Sequence, residues 1–169
     1  MEWLFAVGLL VIMVFGLTVI WGAPYVPVHK TGVEAAFKML NLNKNDLIVD
    51  LGSGDGIVLK MAATRGLRAY GYEINPLLCL ASRWRCRQHG SKIHIFWRDF
   101  WLTDLPDDTK GVFIFSGGPF MKRLSKKLQK EANRLKQPLR VASYGFDLPG
   151  QRVVSEDLGM KLFVVKPNM

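Results

Sequence analysis

Two short runs hold most of the chemistry in this sequence: Asp50-Leu51-Gly52-Ser53-Gly54-Asp55-Gly56, and Gly71-Tyr72-Glu73-Ile74-Asn75-Pro76. Alternating glycines let a chain turn tightly at positive φ and let a ligand reach the backbone without a Cβ in the way. A helix starting just after Gly56 would aim free N–H groups and the positive end of its dipole at that ligand. The acids decide which ligand. A phosphate-cradling loop ends in Gly-Lys-Ser/Thr, which is absent. A dinucleotide fingerprint needs G-x-G-x-x-G, whereas this run is G-x-G-x-G with Asp50 and Asp55 beside it. Carboxylates repel a pyrophosphate and attract a cation.

Glu73 lies about twenty residues past the turn, at the end of the next predicted strand, where an acid can accept both hydroxyls of a ribose. S-adenosylmethionine joins a ribose to a sulfonium and an ammonium and has no phosphate, so it satisfies both acids. The expected cofactor contacts are Asp50, Gly52, Ser53, Gly54, Asp55, Gly56, Glu73, Ile74 and Asn75. No metal is expected. The two cysteines, Cys79 and Cys86, are too few for a zinc site. Seven positions apart on one helix they are separated by roughly 10 Å, beyond disulfide reach, and read as buried thiols of a reducing compartment.

The elements that must position these residues alternate. Thr31–Leu40 has helical spacing and is closed by Asn43–Asn45; Asp46–Leu51 is a short buried strand; Ile57–Gly66 is a helix stopped by glycine. Arg68–Glu73 is a second strand, Pro76–Gly90 a helix with proline near its start, and Lys92–Trp97 a third strand. Gly111–Phe115 is a fourth strand. Met121–Leu135 follows as a basic amphipathic helix, then strands at Leu139–Tyr144 and Met160–Val165. Strands alternating with helices predict an α/β domain with a mostly parallel sheet covered on both faces.

The N-terminal part is different. Trp3–Trp21 is an uncharged apolar run of 19 residues, about 28 Å as a helix and close to the hydrocarbon thickness of a bilayer. It predicts one transmembrane helix, with a tryptophan at each interface. The expected division is 1–22 anchor, 23–45 connector and first helix, and 46–169 cofactor-binding domain. Positive residues begin after the run, which favours the catalytic domain on the cytoplasmic side of a single-pass protein. A bacterial inner membrane is favoured over a mitochondrial one, because no Arg- and Ser-rich presequence precedes Trp3. The net charge of +9 is concentrated at Met121–Arg140. It reads as a solvated helix face, or as attraction to anionic lipid, about 1 kcal/mol per basic residue near the surface, or to nucleic acid, with lipid the simpler explanation beside a membrane anchor.

The two acidic glycine runs resemble those of the class I, seven-strand methyltransferases that use S-adenosylmethionine. The resemblance implies that Asp50 and the glycines hold the amino-acid end and that Glu73 holds the ribose. It also implies that Asp99, with Phe100 beside it, meets the adenine. Val26, Pro27 and Thr31 ahead of these runs, and Asp99-Phe100-Trp101 after them, narrow the likeness. The chain from about Tyr25 is similar to the small membrane-anchored protein-lysine methyltransferases of the ATP synthase c-subunit and adenine nucleotide carrier type, and to their bacterial relatives. The stretch Ser116-Gly117-Gly118-Pro119-Phe120 departs from that pattern.

The acceptor is expected at the carboxyl ends of strands four and five, at Ser116, Pro119, Phe120 and Tyr144, with Asp99, Pro119 and Phe120 as the candidate catalytic-edge residues. Pro27 and Thr31 are lid candidates. No general base is expected, and His29, His89 and His94 read as structural or exposed. The expected partners are a lipid bilayer and a membrane protein offering a lysine. Alternatives are a membrane-partitioned small molecule, such as a quinone or lipid precursor, or a cofactor-binding module without turnover. Nucleic acid is not the expected partner, since no Asn/Asp-Pro-Pro-aromatic segment follows strand four.

Overall fold

The structure, a computed structural model, describes residues 3–9 and 28–168. The helices are α1 (Lys30–Leu40), α2 (Ile57–Thr64), α3 (Pro76–Cys86) and α4 (Met121–Leu135). The strands are β1 (Leu47–Leu51), β2 (Arg68–Glu73), β3 (Ile93–Trp97), β4 (Thr109–Ile114), β5 (Leu139–Tyr144), β6 (Val153–Asp157) and β7 (Met160–Val165). They form one sheet in the order β3-β2-β1-β4-β5-β7-β6. The first five are parallel, and β7 runs antiparallel to both β5 and β6.

Alternation along each strand sends side chains to opposite layers. Leu47, Val49 and Leu51 of β1 join Val112 and Ile114 of β4 beneath Met121, Leu124, Leu128 and Ala132 of α4. Ile48, Ala69 and Phe113 point the other way, into a core with Val33, Ala36 and Leu40 of α1 and with Val58, Leu59 and Ala62 of α2. The buried positions of α4 recur every three or four residues, and its lysines and arginines fall mostly between them. The expected α/β sheet with helices on both faces is therefore present.

Several boundaries differ from the expectation. The third helix stops at Cys86 and passes into a 3-10 turn over Arg87–Lys92, where Gly90 at φ 53° breaks the helical path. Strand β4 begins at Thr109, two positions before the apolar run that signals it. Strand β6 is not expected at all. It is an edge strand whose side chains face water, with only Val153 half-buried, so it lacks an alternating apolar pattern. A two-residue turn, Leu158 and Gly159 at φ 48° and 76°, folds it onto β7.

The expected single-pass localisation is corrected. Among the described residues, no helix is long and apolar enough to cross a membrane. Of the run Trp3–Trp21, only residues 3–9 are described, as exposed helix. The rest of it, and the connector with Tyr25, Val26 and Pro27, lie outside the described residues.

Candidate active site

Parallel strands end at a common edge, and the chain turns there from strand to helix. Asp50 is the last residue but one of β1, on the face of Ile48, and is 3% exposed. The turn that follows is anchored by its own backbone: Gly52 and Ser53 both donate N–H bonds to the Tyr72 carbonyl of β2, at 2.9 and 3.0 Å. Gly52, Gly54 and Gly56 take φ of 87°, 52° and 81°, as the alternating glycines predict. Two of the glycines serve different ends. A Cβ on Gly56 would lie 2.2 Å from the Ser82 hydroxyl, so this glycine lets the turn pack on α3. Among the described residues a Cβ on Gly52 would meet nothing within 4 Å, so they leave the backbone there open.

Glu73 closes the turn from the neighbouring strand. Its carboxylate accepts the N–H of Gly54 through Oε2 and that of Asn75 through Oε1, each at 2.8 Å. The acid thus fixes both the glycine turn and the start of α3 and keeps further lone pairs on each oxygen. Asn75 caps α3 by accepting from the N–H groups of Leu77 and Leu78. Ile74 follows Glu73 directly, and its carbonyl accepts from the Trp97 indole at 2.9 Å.

Asp50 and Glu73 are both buried, and among the described residues neither makes an ion pair. Burial, and after it the charges of Glu73 and Asp55, push the Asp50 carboxyl well above the usual carboxylate range. The Ser53 hydroxyl is buried and, among the described residues, has no hydrogen-bond partner. A cationic, phosphate-free ligand fits this donor and acceptor set, and a pyrophosphate does not. Asp55 is occupied differently: it caps α2 at the N–H of Ile57 and pairs with Arg85 at 2.7 Å.

Asp99 lies past the end of β3 and caps a short 3-10 turn, Phe100–Leu102, by accepting the Trp101 N–H at 2.8 Å. The Arg98 N–H donates to the Glu73 carbonyl, so this loop is sewn to the rim of the turn. Ser116 is buried after β4; Pro119 and Phe120 form a further 3-10 turn leading into α4. Phe120 approaches Trp101, with ring centroids 6.5 Å apart, and the Arg123 guanidinium lies 4.2 Å above the Trp101 ring. Across the edge, Phe146 stands where a Cβ on Gly118 would reach it at 3.5 Å. Tyr144 instead packs edge-on against Phe115 and near Gly32 of α1.

A family model described as the ANTKMT methyltransferase domain matches residues 50–155. The chain belongs to that family. It is 38% identical over 128 residues to an ATP synthase c-subunit lysine N-methyltransferase of Xenopus laevis, covering 75% of this chain and 54% of that protein. It is 35% identical over 129 residues to an adenine nucleotide translocase lysine N-methyltransferase of Mus musculus, again covering 75% of this chain and 54% of that protein. The chain spans about half the length of the curated relatives it matches. Among solved structures, an RNA methyltransferase from Salinibacter ruber bound to S-adenosyl-L-homocysteine superposes with a TM-score of 0.73. It covers 85% of this chain and 96% of that one at 23% identity, a likeness of fold.

Within this methyltransferase domain the glycine turn, Glu73, Ile74 and Asn75 form one bonded unit, while Phe100, which follows Asp99, and Phe120, which follows Pro119, meet through Trp101 in an aromatic rim tied to that unit by the Arg98 N–H bond to Glu73. Three residues of that rim and of the turn's support escape a sequence reading. Arg123 is one of many bases in an amphipathic helix, Phe146 lies in an irregular loop, and Ser82 sits on a helix face whose orientation only packing reveals. Trp101 carries a usable signal, its place two residues after Asp99.

Proposed function

We propose that this domain transfers a methyl group from S-adenosylmethionine to a lysine side chain of a membrane protein. One observation carries the cofactor: two buried carboxylates with no basic partner among the described residues, set beside a glycine turn that these residues leave open at Gly52. Family membership supplies the reaction class. The relatives' names, which specify lysines of the ATP synthase c-subunit and of the adenine nucleotide translocase, supply the acceptor class.

When bound, S-adenosylmethionine supplies an electrophilic methyl on a sulfonium whose charge is lost on transfer. Asp50 would attract the charged amino-acid end, which the turn admits at Gly52. The lone pairs left on Glu73 accept the ribose hydroxyls, while Ile74, Asn75, Asp99 and Phe100 border the adenine. Pro119 and Phe120 position the acceptor. A lysine attacks only when neutral, so the aromatic rim and the neighbouring positive charge must lower its pKa from about 10.4. The new N–C bond forms as the S–C bond breaks, the electron pair stays on sulfur, and the nitrogen's proton passes to water. Positioning and electrostatics carry the rate.

The test is incubation of the protein and labelled cofactor with membranes from cells lacking its gene. Label on lysine of a membrane protein, absent with Glu73→Ala, is the expected result. Label in the lipid fraction would replace the protein acceptor with a membrane-partitioned small molecule. Cofactor binding with no label anywhere would reduce the domain to a binding module.

A further inference from the structure

The outer face of α3 is apolar, and none of the described residues covers it. Leu77, Leu80, Ala81 and Trp84 recur at the spacing of one helix face, and all four are exposed, Leu80 and Trp84 to 65% and 69%. Trp97, at the end of edge strand β3, is 62% exposed beside it. Elsewhere in the helix Cys79, Ser82 and Cys86 are buried, so the core already has its own face and this second stripe is surplus to folding.

The charges carried by the segment that bears the stripe have one sign. From Pro76 to Trp97 the chain carries Arg83, Arg85, Arg87 and Lys92 and no acid. Arg85 turns inward to Asp55, and the others remain outside. Arg83 reaches the Ile95 carbonyl of β3, and Arg87 lies 4.4 Å over the Trp84 ring. The guanidinium of Arg87 is thus fixed on the apolar stripe. A second copy of the chain would bring the same positive charges against themselves in a two-fold contact. An anionic lipid surface complements them: arginine meets phosphate, tryptophan favours the headgroup level, and leucine enters the acyl boundary.

We propose that the α3 face, with Trp97, docks on an anionic bilayer surface. The face is continuous with the active site, because Asn75 caps α3 and the Trp97 indole holds the Ile74 carbonyl next to Glu73. Docking by this face brings the rim of the glycine turn to the membrane surface, and it does so whatever the acceptor is.

A nitroxide at Leu80→Cys in the full chain tests this by paramagnetic accessibility, with no cofactor or substrate present. Both native thiols are buried, and burial pushes that of Cys79 up to about 11, so labelling selects the introduced cysteine. A label at Ser155→Cys, on the far edge of the sheet, is the control. Vesicles of phosphatidylcholine with phosphatidylglycerol should make residue 80 oxygen-accessible and shield it from a water-soluble nickel chelate, leaving residue 155 unchanged. Arg87→Glu should lower the ratio of immersed to exposed label about tenfold. Lys92→Glu should lower it similarly without touching Trp84. A label that stays in water, or that is immersed equally on pure phosphatidylcholine, overturns the proposal. Shielding without vesicles also overturns it, in favour of a second copy if it depends on concentration and of residues 10–27 of the same chain if it does not.

Discussion

At the residue scale, the glycines of the site separate cofactor space from packing space. Gly52 and Gly71 are the informative pair. Alanine at Gly52 would place its Cβ where none of the described residues lies within 4 Å, so its stability cost is that of the positive φ, about 1–2 kcal/mol. The same methyl would stand where the ligand approaches the backbone. Gly71 of β2 has the opposite surroundings: a Cβ there would lie 2.6 Å from Leu59 and 2.7 Å from the Ser53 hydroxyl. We expect Gly52→Ala to lose more cofactor affinity than stability, and Gly71→Ala to lower the melting temperature and displace Ser53. Calorimetric titration and thermal denaturation of both variants check this; equal effects of the two on stability would remove the distinction.

At the element scale, one buried acid organises the outer helix. Glu131 of α4, 1% exposed, accepts the Leu105 N–H at 3.2 Å and the Arg134 side chain at 2.9 Å. Arg134 also donates to the Leu105 carbonyl and pairs with Asp107 at 2.6 Å. The connection from β3 to β4 is thereby stapled to α4. Glu131→Ala should cost about 3 kcal/mol, because it leaves a buried N–H unpaired and takes from Arg134 its one buried carboxylate partner. Asp107→Ala should cost less than about 1 kcal/mol, since Asp107 is 89% exposed and the pair is screened. Urea melts of the two variants compare them, and a similar loss would show that the exposed pair holds the loop. None of this staple is legible in the sequence, where Glu131 looks like one more charge in a polar helix. The glycine turn and Glu73 are legible, because the chemistry itself demands those residue types at that spacing. Strands β1, β4 and β5 are legible from their apolar runs. β6 is not, because an edge strand in water needs no apolar pattern. Asp55 is ambiguous, because a capping acid and a ligand-binding acid look alike in one dimension.

At the scale of the whole molecule, Asp50 links folding, protonation and cofactor binding. Burial, then the charges of Glu73 and Asp55, raise its pKa, so the folded free protein holds this proton more tightly than the unfolded chain does. The sign follows by linkage. Below the ordinary carboxylate pKa, about 4, Asp50 is protonated in both states and costs nothing. As pH rises from there toward the raised value, the unfolded chain releases the proton first and the free protein loses stability. A cationic cofactor placed beside Asp50 favours the ionised form and returns its pKa downward. Binding therefore expels a proton in this window, and affinity for S-adenosylmethionine rises with pH until Asp50 is ionised in the free protein as well. The stabilisation conferred by ligand grows with the ratio of its concentration to Kd, so the cofactor-induced rise in Tm should increase with pH across the window while the Tm of the free protein falls. Asp50→Asn, which cannot titrate, should bind more weakly and flatten both trends. Titrations in buffers of different ionisation enthalpy count the protons directly: release in the wild type and none in the variant is the expected outcome. Release of the same size in both would assign the proton to another group.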